Sequence, residues 1–416
     1  MGSPKIALVK QKFAAPSIDN IEEHVKHELA KVQIQEKVKE GMTIAITAGS
    51  RGIANMNVII KTIVEELKLL GAKPYIVPTM GSHGGATAEG QTEVLESLGI
   101  TEEFCGAEIR SSMEVVQLGN LENGMPVYID KNAYEADGII LMNRIKPHTD
   151  FKSEIESGLL KMAAIGLGKH AQALALHSHG IKGIRDFMPD VAKMIISKSK
   201  IIMAIGVVEN AFEKTAAIEA IEKDQIEERE KELLKLAKSY MPKLPVENID
   251  LLIVDEIGKN YTGTGMDTNI IGRINIQGVK EPESPKIKYI LASDVSEASH
   301  GNALGIGLAD LTTKKLFQKI NFKAMNENIV TSTFLNRAKI PIVLENDKEA
   351  IQAALRANWG IDGENARVIR IPNTLHLEYL YVSEAILREI EDKVEVITEL
   401  TDFNFDKNGY LEKFNH

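Results

Sequence analysis

Apolar and polar positions along the chain switch between two periods, and glycine marks most of the switches. Met42 to Ala48 reads as a strand, and Gly49-Ser50-Arg51-Gly52 turns it. Apolar positions then recur at helical spacing from about Asn55 to Leu70, where Gly71 stops them. A second strand, Pro74 to Pro78, leads through Thr79-Met80-Gly81-Ser82-His83-Gly84-Gly85 into a helix over Ala88 to Leu98. Strand, loop, helix and strand in this order make a βαβ unit, which implies a parallel sheet. A further strand, Gly138 to Met142, delivers Asn143-Arg144-Ile145-Lys146-Pro147-His148 just past its end. Ser50, Arg51, His83 and His148 thus all follow strands, and at the carboxyl edge of an open parallel sheet such positions share one crevice.

From about Phe212 to Tyr240 the pattern becomes a charged helix ended by Pro242 and Pro245. A mostly polar helix has little to bury, so it reads as a connector between domains. A second α/β set opens with the strand Asp250 to Val254 and continues through strands near Tyr289, Ile340 and Val368. From about Glu384 the chain is helical and then acidic. The expectation is an α/β protein of two domains with mainly parallel sheets, joined by helical connectors, with the active site in the interdomain crevice. Residues 1–245 form the first domain with its connector helix, 246–385 the second, and 386–416 a terminal segment packing back on the first. A length of 416 residues suits two cores better than one.

Composition removes several function classes. With 44% hydrophobic and 26% charged residues the chain reads as soluble and globular, and no apolar run reaches the ~20 residues of a membrane span. No charged, apolar signal segment opens it, and the leading Met-Gly-Ser resembles a cloning remnant, so the expected location is cytoplasmic. A net charge of −10 argues against a nucleic-acid partner. The single cysteine, Cys105, excludes an intrachain disulfide and any four-cysteine metal site, so a sulfur-rich metal environment would have to come from a cofactor.

Four of the ten histidines, His148, His170, His177 and His179, cluster around Lys161. Imidazole is both a common metal ligand and a proton carrier near neutral pH, so a metal or cofactor site is one reading. A capped helix with partly buried histidines is the other, at about even odds on the stretch alone. On one continuous helix Lys161 and His177 would point about 160° apart. Gly166 and Gly168 argue against continuity, and a chain that folds back there brings the two to one ligand. Gly49-Ser50-Arg51-Gly52 before a helix offers amides, a hydroxyl and a guanidinium to a phosphate, although a surface turn gives the same pattern. No dinucleotide or NTPase signature and no zinc-hydrolase spacing is present. In the second half, the polar stretch Asp255 to Asn269 follows a strand and reads as a binding loop rather than a linker; Ser299-His300-Gly301-Asn302 is a second polar segment.

Taken in order, Arg51, His83, His148, Lys161 and His177 make the chain resemble the nickel-dependent lactate racemase family, with its broader group of 2-hydroxy-acid racemases and epimerases. The resemblance implies a nickel-pincer nucleotide, nickel pyridinium-3,5-bisthiocarboxylic acid mononucleotide, tethered through a thioamide to Lys161. His177 would be the nickel ligand, Ser50 and Arg51 would hold the phosphate, and His83 and His148 would be the paired acid and base. The implied reaction is reversible oxidation at C2, with hydride passing to the cofactor and returning to the other face of a planar 2-keto acid. Maturation enzymes that build the cofactor are the implied protein partners. The chain departs from the lactate-type members at Ala48, where they carry an acidic residue, and at Gly84, where they carry a basic one. It also has more residues between His148 and Lys161. These departures favour a longer, more hydroxylated acid such as a sugar acid, contacted by Lys259, Asn260, Tyr261, Asp267, Asn269, Arg273 and His300. A non-catalytic carrier of the nickel cofactor, and a zinc hydrolase using His83, His148 and His177, stay open as alternatives.

Overall fold

Strands of a parallel sheet covered on both faces should send apolar side chains both ways, and the first predicted strands do. Ile44, Ile46, Ile76, Ile140 and Met142 enter one core, while Ala45, Tyr75, Val77, Ile139 and Leu141 enter another. The computed structural model describes residues 2–50 and 52–414. In chain order its strands are β1 (Ile6–Gln11), β2 (Thr43–Ala48), β3 (Lys73–Pro78), β4 (Glu108–Ile109), β5 (Val115–Asn120), β6 (Pro126–Asp130), β7 (Gly138–Arg144) and β8 (Ile201–Glu209). They continue with β9 (Thr215–Glu222), β10 (Asn248–Ile257), β11 (Lys286–Val295), β12 (Leu311–Thr313), β13 (Ile342–Leu344), β14 (Val368–Ile371), β15 (Tyr379–Ser383) and β16 (Val394–Val396).

Two units divide the chain, one spanning Ala14–Met241 and the other combining the stretch up to Phe13 with the chain from Pro242 onward. In the Ala14–Met241 unit the sheet runs β4-β3-β2-β7-β8-β9, parallel except for β9. The chain moves outward from β2 through β3 to β4 and then returns to β7 on the other flank of β2. The order therefore reverses at β2, and the loops after β2 and β7 lie at the switch point.

In the other unit the sheet runs β13-β12-β11-β10-β14-β15-β1-β16. Strands β13 to β10 and β14 are parallel, while β15, β1 and β16 pair antiparallel in turn. Both sheets are mainly parallel and the class is mixed α/β, as the pattern predicts.

Several expected boundaries shift. The first strand is not part of the first sheet, because Ile6 to Lys10 pair with β15 of the second. The terminal segment also stays with that sheet, through β16 on β1 and the Ile6 to Thr401 bridge, rather than packing on the first domain. The expected helix over 212–240 is instead the strand β9 followed by the helix Ile226–Tyr240. That helix is no connector either. Ile226, Leu233, Leu234 and Ala237 are buried in the core beside β7 and β8, so its short apolar stripe suffices to seat it while its charged faces stay wet.

Candidate functional site

The loop after β7 presents His148, and the backbone around it is tightly specified. Lys146 and Ser157 close the loop with a pair of backbone hydrogen bonds, so the extra residues before Lys161 form an excursion pinned at its base. Inside it, the fully buried carboxylate of Glu156 accepts the amide of His148 at 2.7 Å and that of Ser153 at 3.2 Å. Lys238 donates to the same carboxylate at 2.7 Å. The His148 ring stacks on Phe151 with centroids 4.5 Å apart. Its Nδ1 accepts the Asp150 amide at 3.1 Å, and its Nε2 lies 2.9 Å from Lys161 Nζ.

Lys161 and His177 sit on one interrupted helix. Leu159–Lys161 is α-helical, Met162–Gly166 is a π-turn, and Lys169–His177 is α-helical again. Between the last two, Lys169 adopts a left-handed φ of 55°, a conformation that side chains other than glycine rarely take. An interrupted helix no longer imposes the separation of about 160° that a continuous one would. The positive charge of Lys161, after burial, is a cause that holds the His177 imidazole below its ordinary pKa, while Asp150 opposes it. π-Turns of this kind are frequent at functional sites.

The same helix lies over the ends of the neighbouring strands. A side chain added at Gly49 would meet Met162, and one added at Gly81 would meet Ile165. Ser50 Oγ is hydrogen-bonded to His83 Nδ1, which ties the loop after β2 to the loop after β3. His83 is exposed, His148 is buried, and Lys161 and His177 are intermediate. Arg51 lies outside the described residues. The expected phosphate turn has a partner of its own, because the Ala54 amide at its end donates to Glu209 Oε1 at 2.7 Å and Glu209 is paired with Arg144. His170 keeps a buried Nδ1 without a hydrogen-bond partner, and His179 is exposed with its ring edge-on to Phe187.

The candidates in the other unit scatter more. Lys259, Asn260 and Tyr261 follow β10 at the carboxyl edge of their sheet, as expected. Lys259 Nζ donates to Gly263 O and Asn328 Oδ1, and its amide donates to Ser299 Oγ in the turn that carries His300. Tyr261 OH donates to Glu256, and its ring faces His376 edge-on. Asp267 caps a short helix, its Oδ1 accepting the backbone amide and the side-chain amide of Asn269. Arg273 lies at the opposite, amino edge, where it donates to Leu308 O, Asp310 Oδ2 and Ile287 O. Glu256, Asn373 and His376 were not singled out from the sequence. The polar run Pro372-Asn373-Thr374 directly after β14 was the available signal.

Among the described residues no group of three His, Cys, Asp or Glu side chains could hold a metal ion, and no helix is long and apolar enough to cross a membrane. Cys105 is buried and its thiol is pushed up to about 11 by desolvation, which makes it a poor ligand.

Two mainly parallel α/β sheets make a fold that known structures share. The lactate racemase apoprotein from Thermoanaerobacterium thermosaccharolyticum is similar over 88% of this chain and 94% of its own, with a TM-score of 0.52 and 15% identity. A protein from Thermotoga maritima is similar over 87% and 98%, with a TM-score of 0.54 and 14% identity. At these identities the likeness is one of fold. No curated protein matches the chain in sequence. Residues 5–183 match the family model of the lactate racemase N-terminal domain, a span that contains Ser50, Arg51, His83, His148, Lys161 and His177. The matched stretch and the shared fold support the lactate racemase-like family for this chain.

Proposed function

We propose that the protein is a racemase or epimerase acting at C2 of a 2-hydroxy acid with a nickel-pincer nucleotide, and that its substrate is longer and more hydroxylated than lactate. The observation that carries this reading is the meeting of Lys161 Nζ with His148 Nε2 at 2.9 Å, beside a His177 whose neutral form is favoured. The donor chemistry fits the cofactor. The described residues offer no three-ligand metal site, so the remaining metal ligands would have to come from the nucleotide itself, with His177 in its ligating neutral form. A three-histidine zinc site lacks that donor set. Lys161 would carry the tether, with Ser50 and Arg51 at the phosphate.

When bound, the cofactor supplies reversible acceptance of the C2 hydride. The protein's part is proton handling and orientation. The Asp150 amide donates to His148 Nδ1, which places the proton of the neutral ring on Nε2. Once Lys161 is tied to the nucleotide, Nε2 faces the 2-hydroxyl: in the Nε2–H tautomer it donates a proton there, and it takes one when the ring proton moves to Nδ1, toward the Asp150 carboxylate 3.8 Å away. Ser50 holds Nδ1 of His83 and makes its Nε2 the corresponding atom for the other configuration. The test is C2 inversion by protein loaded through coexpression with pincer-cofactor maturation enzymes, assayed on both lactate and aldonic acids in deuterated water. Inversion of an aldonic acid with its C2 hydrogen retained is expected. Loaded protein that inverts no acid would leave the carrier reading, and brisk turnover of lactate alone would overturn the substrate class.

A further inference from the structure

We propose that Lys169 is a positioning residue that sets His83, acting through Gln91. Lys169 is completely buried, yet it is a cation in a backbone conformation that favours glycine. Packing alone gives no reason for a lysine here, whereas its hydrogen bonds do. Its Nζ donates to Pro78 O, the last carbonyl of β3, at 2.7 Å and to Gln91 Oε1 at 2.6 Å. Gln91, also fully buried, turns its Nε2 to Gly81 O at 3.0 Å and to His83 O at 3.2 Å. Two of these four bonds run from the buried ammonium through Gln91 to the carbonyl of His83 itself, and the other two hold Pro78 O and Gly81 O, so the network grips the glycine-rich turn at both ends. Among the described residues the charge paired with the ammonium is Asp130, whose Oδ2 lies 3.6 Å away and has no hydrogen-bond partner.

Geometry separates this from a simple buried ion pair. An ion pair needs only Asp130, but the shorter contacts of Lys169 go to β3 and Gln91. Charge-assisted bonds of this kind are about twice as strong as neutral ones, so they fix a turn that its glycines would otherwise leave loose. Lys169 also starts the helix of His177, two residues after the Leu167 cap of the π-turn. One residue thus ties the backbone of His83 to the break that brings His177 toward Lys161. Burial pushes the Asp130 carboxyl up to about 6 and the Lys169 amine down, and their mutual attraction opposes both shifts.

The inference rests on His83 belonging to the acid and base pair, but its test does not require turnover. The full-length, unloaded protein is treated with diethyl pyrocarbonate across a pH series, and modification of His83 is read by peptide mass spectrometry against the exposed His300. The variants are Gln91→Leu, which cuts the chain and leaves Lys169 and Asp130 in place, and the double variant Lys169→Met, Asp130→Asn, which removes both charges. Both should change the rate at His83 by about tenfold and move its half-titration pH, with His300 unchanged. An unchanged His83 profile in folded Gln91→Leu would overturn the proposal, whatever the double variant does to stability. Loaded wild type that inverts no acid would refute the proposed reaction while leaving the His83 measurement intact.

Discussion

Glu230 Oε2 accepts the amide of Leu160 at 2.8 Å, so a fully buried carboxylate on the helix Ile226–Tyr240 caps the turn that carries Lys161. Eight residues further along the same helix, Lys238 pairs with Glu156, whose carboxylate holds the amide of His148. A helix that reads as a solvated connector thereby anchors both partners of the Lys161 and His148 contact.

Glu230 carries the clearest pH signature. Burial raises its carboxyl from an ordinary 4.5 to about 7. Below pH 4.5 the group is protonated in the folded and the unfolded chain alike. Between about 4.5 and 7 the unfolded chain releases the proton first, so native stability falls with rising pH, by ~3 kcal/mol over the window. Glu230→Gln removes that loss. Denaturant unfolding of the two proteins at pH 5 and pH 8 should show the variant gaining on wild type at the higher pH. A difference that does not vary with pH would contradict the assignment.

Gly84 is set by packing. An added Cβ would lie 2.6 Å from the backbone of Gly90, at a φ of +63°. Gly84→Lys, which installs the basic residue of lactate-type enzymes, should cost at least ~2 kcal/mol and confer no lactate turnover. Thermal melting and a lactate assay check both parts. A stable variant active on lactate would refute this account of the position.

Arg273 should act through stability and not through substrate. Its four bonds at the amino edge of the second sheet predict that Arg273→Ala loses ~2–4 kcal/mol, with KM for the acid unchanged in the folded fraction. A raised KM at unaltered melting temperature would return it to the substrate contacts.

Periodicity located the elements that local sequence determines. β2, β3, β7 and the helices after β2 and β3 fall within one or two residues of the pattern, and the strand-end rule placed Ser50, His83 and His148 just past strands. It failed where the deciding partner is distant in sequence. β1 reads like any other strand, and only its pairing with β15 assigns it to the second sheet. Thr215 to Glu222 carries acidic residues among apolar ones and was absorbed into a helical reading, until pairing with β8 fixed it as a strand. Arg273 looks like a binding-loop residue because the two edges of a sheet are indistinguishable in a linear pattern. Lys169, Gln91, Glu156 and Glu230 were invisible for the same reason, since each is defined by a bond spanning 8 to 91 residues.

The central claim is that Lys161 carries the nucleotide, and the direct measurement is intact mass with nickel content after coexpression with pincer-cofactor maturation enzymes. Wild type should carry a cofactor-sized adduct and nickel, and Lys161→Ala should carry neither. Wild type without an adduct, under conditions that load a lactate racemase, would contradict the account.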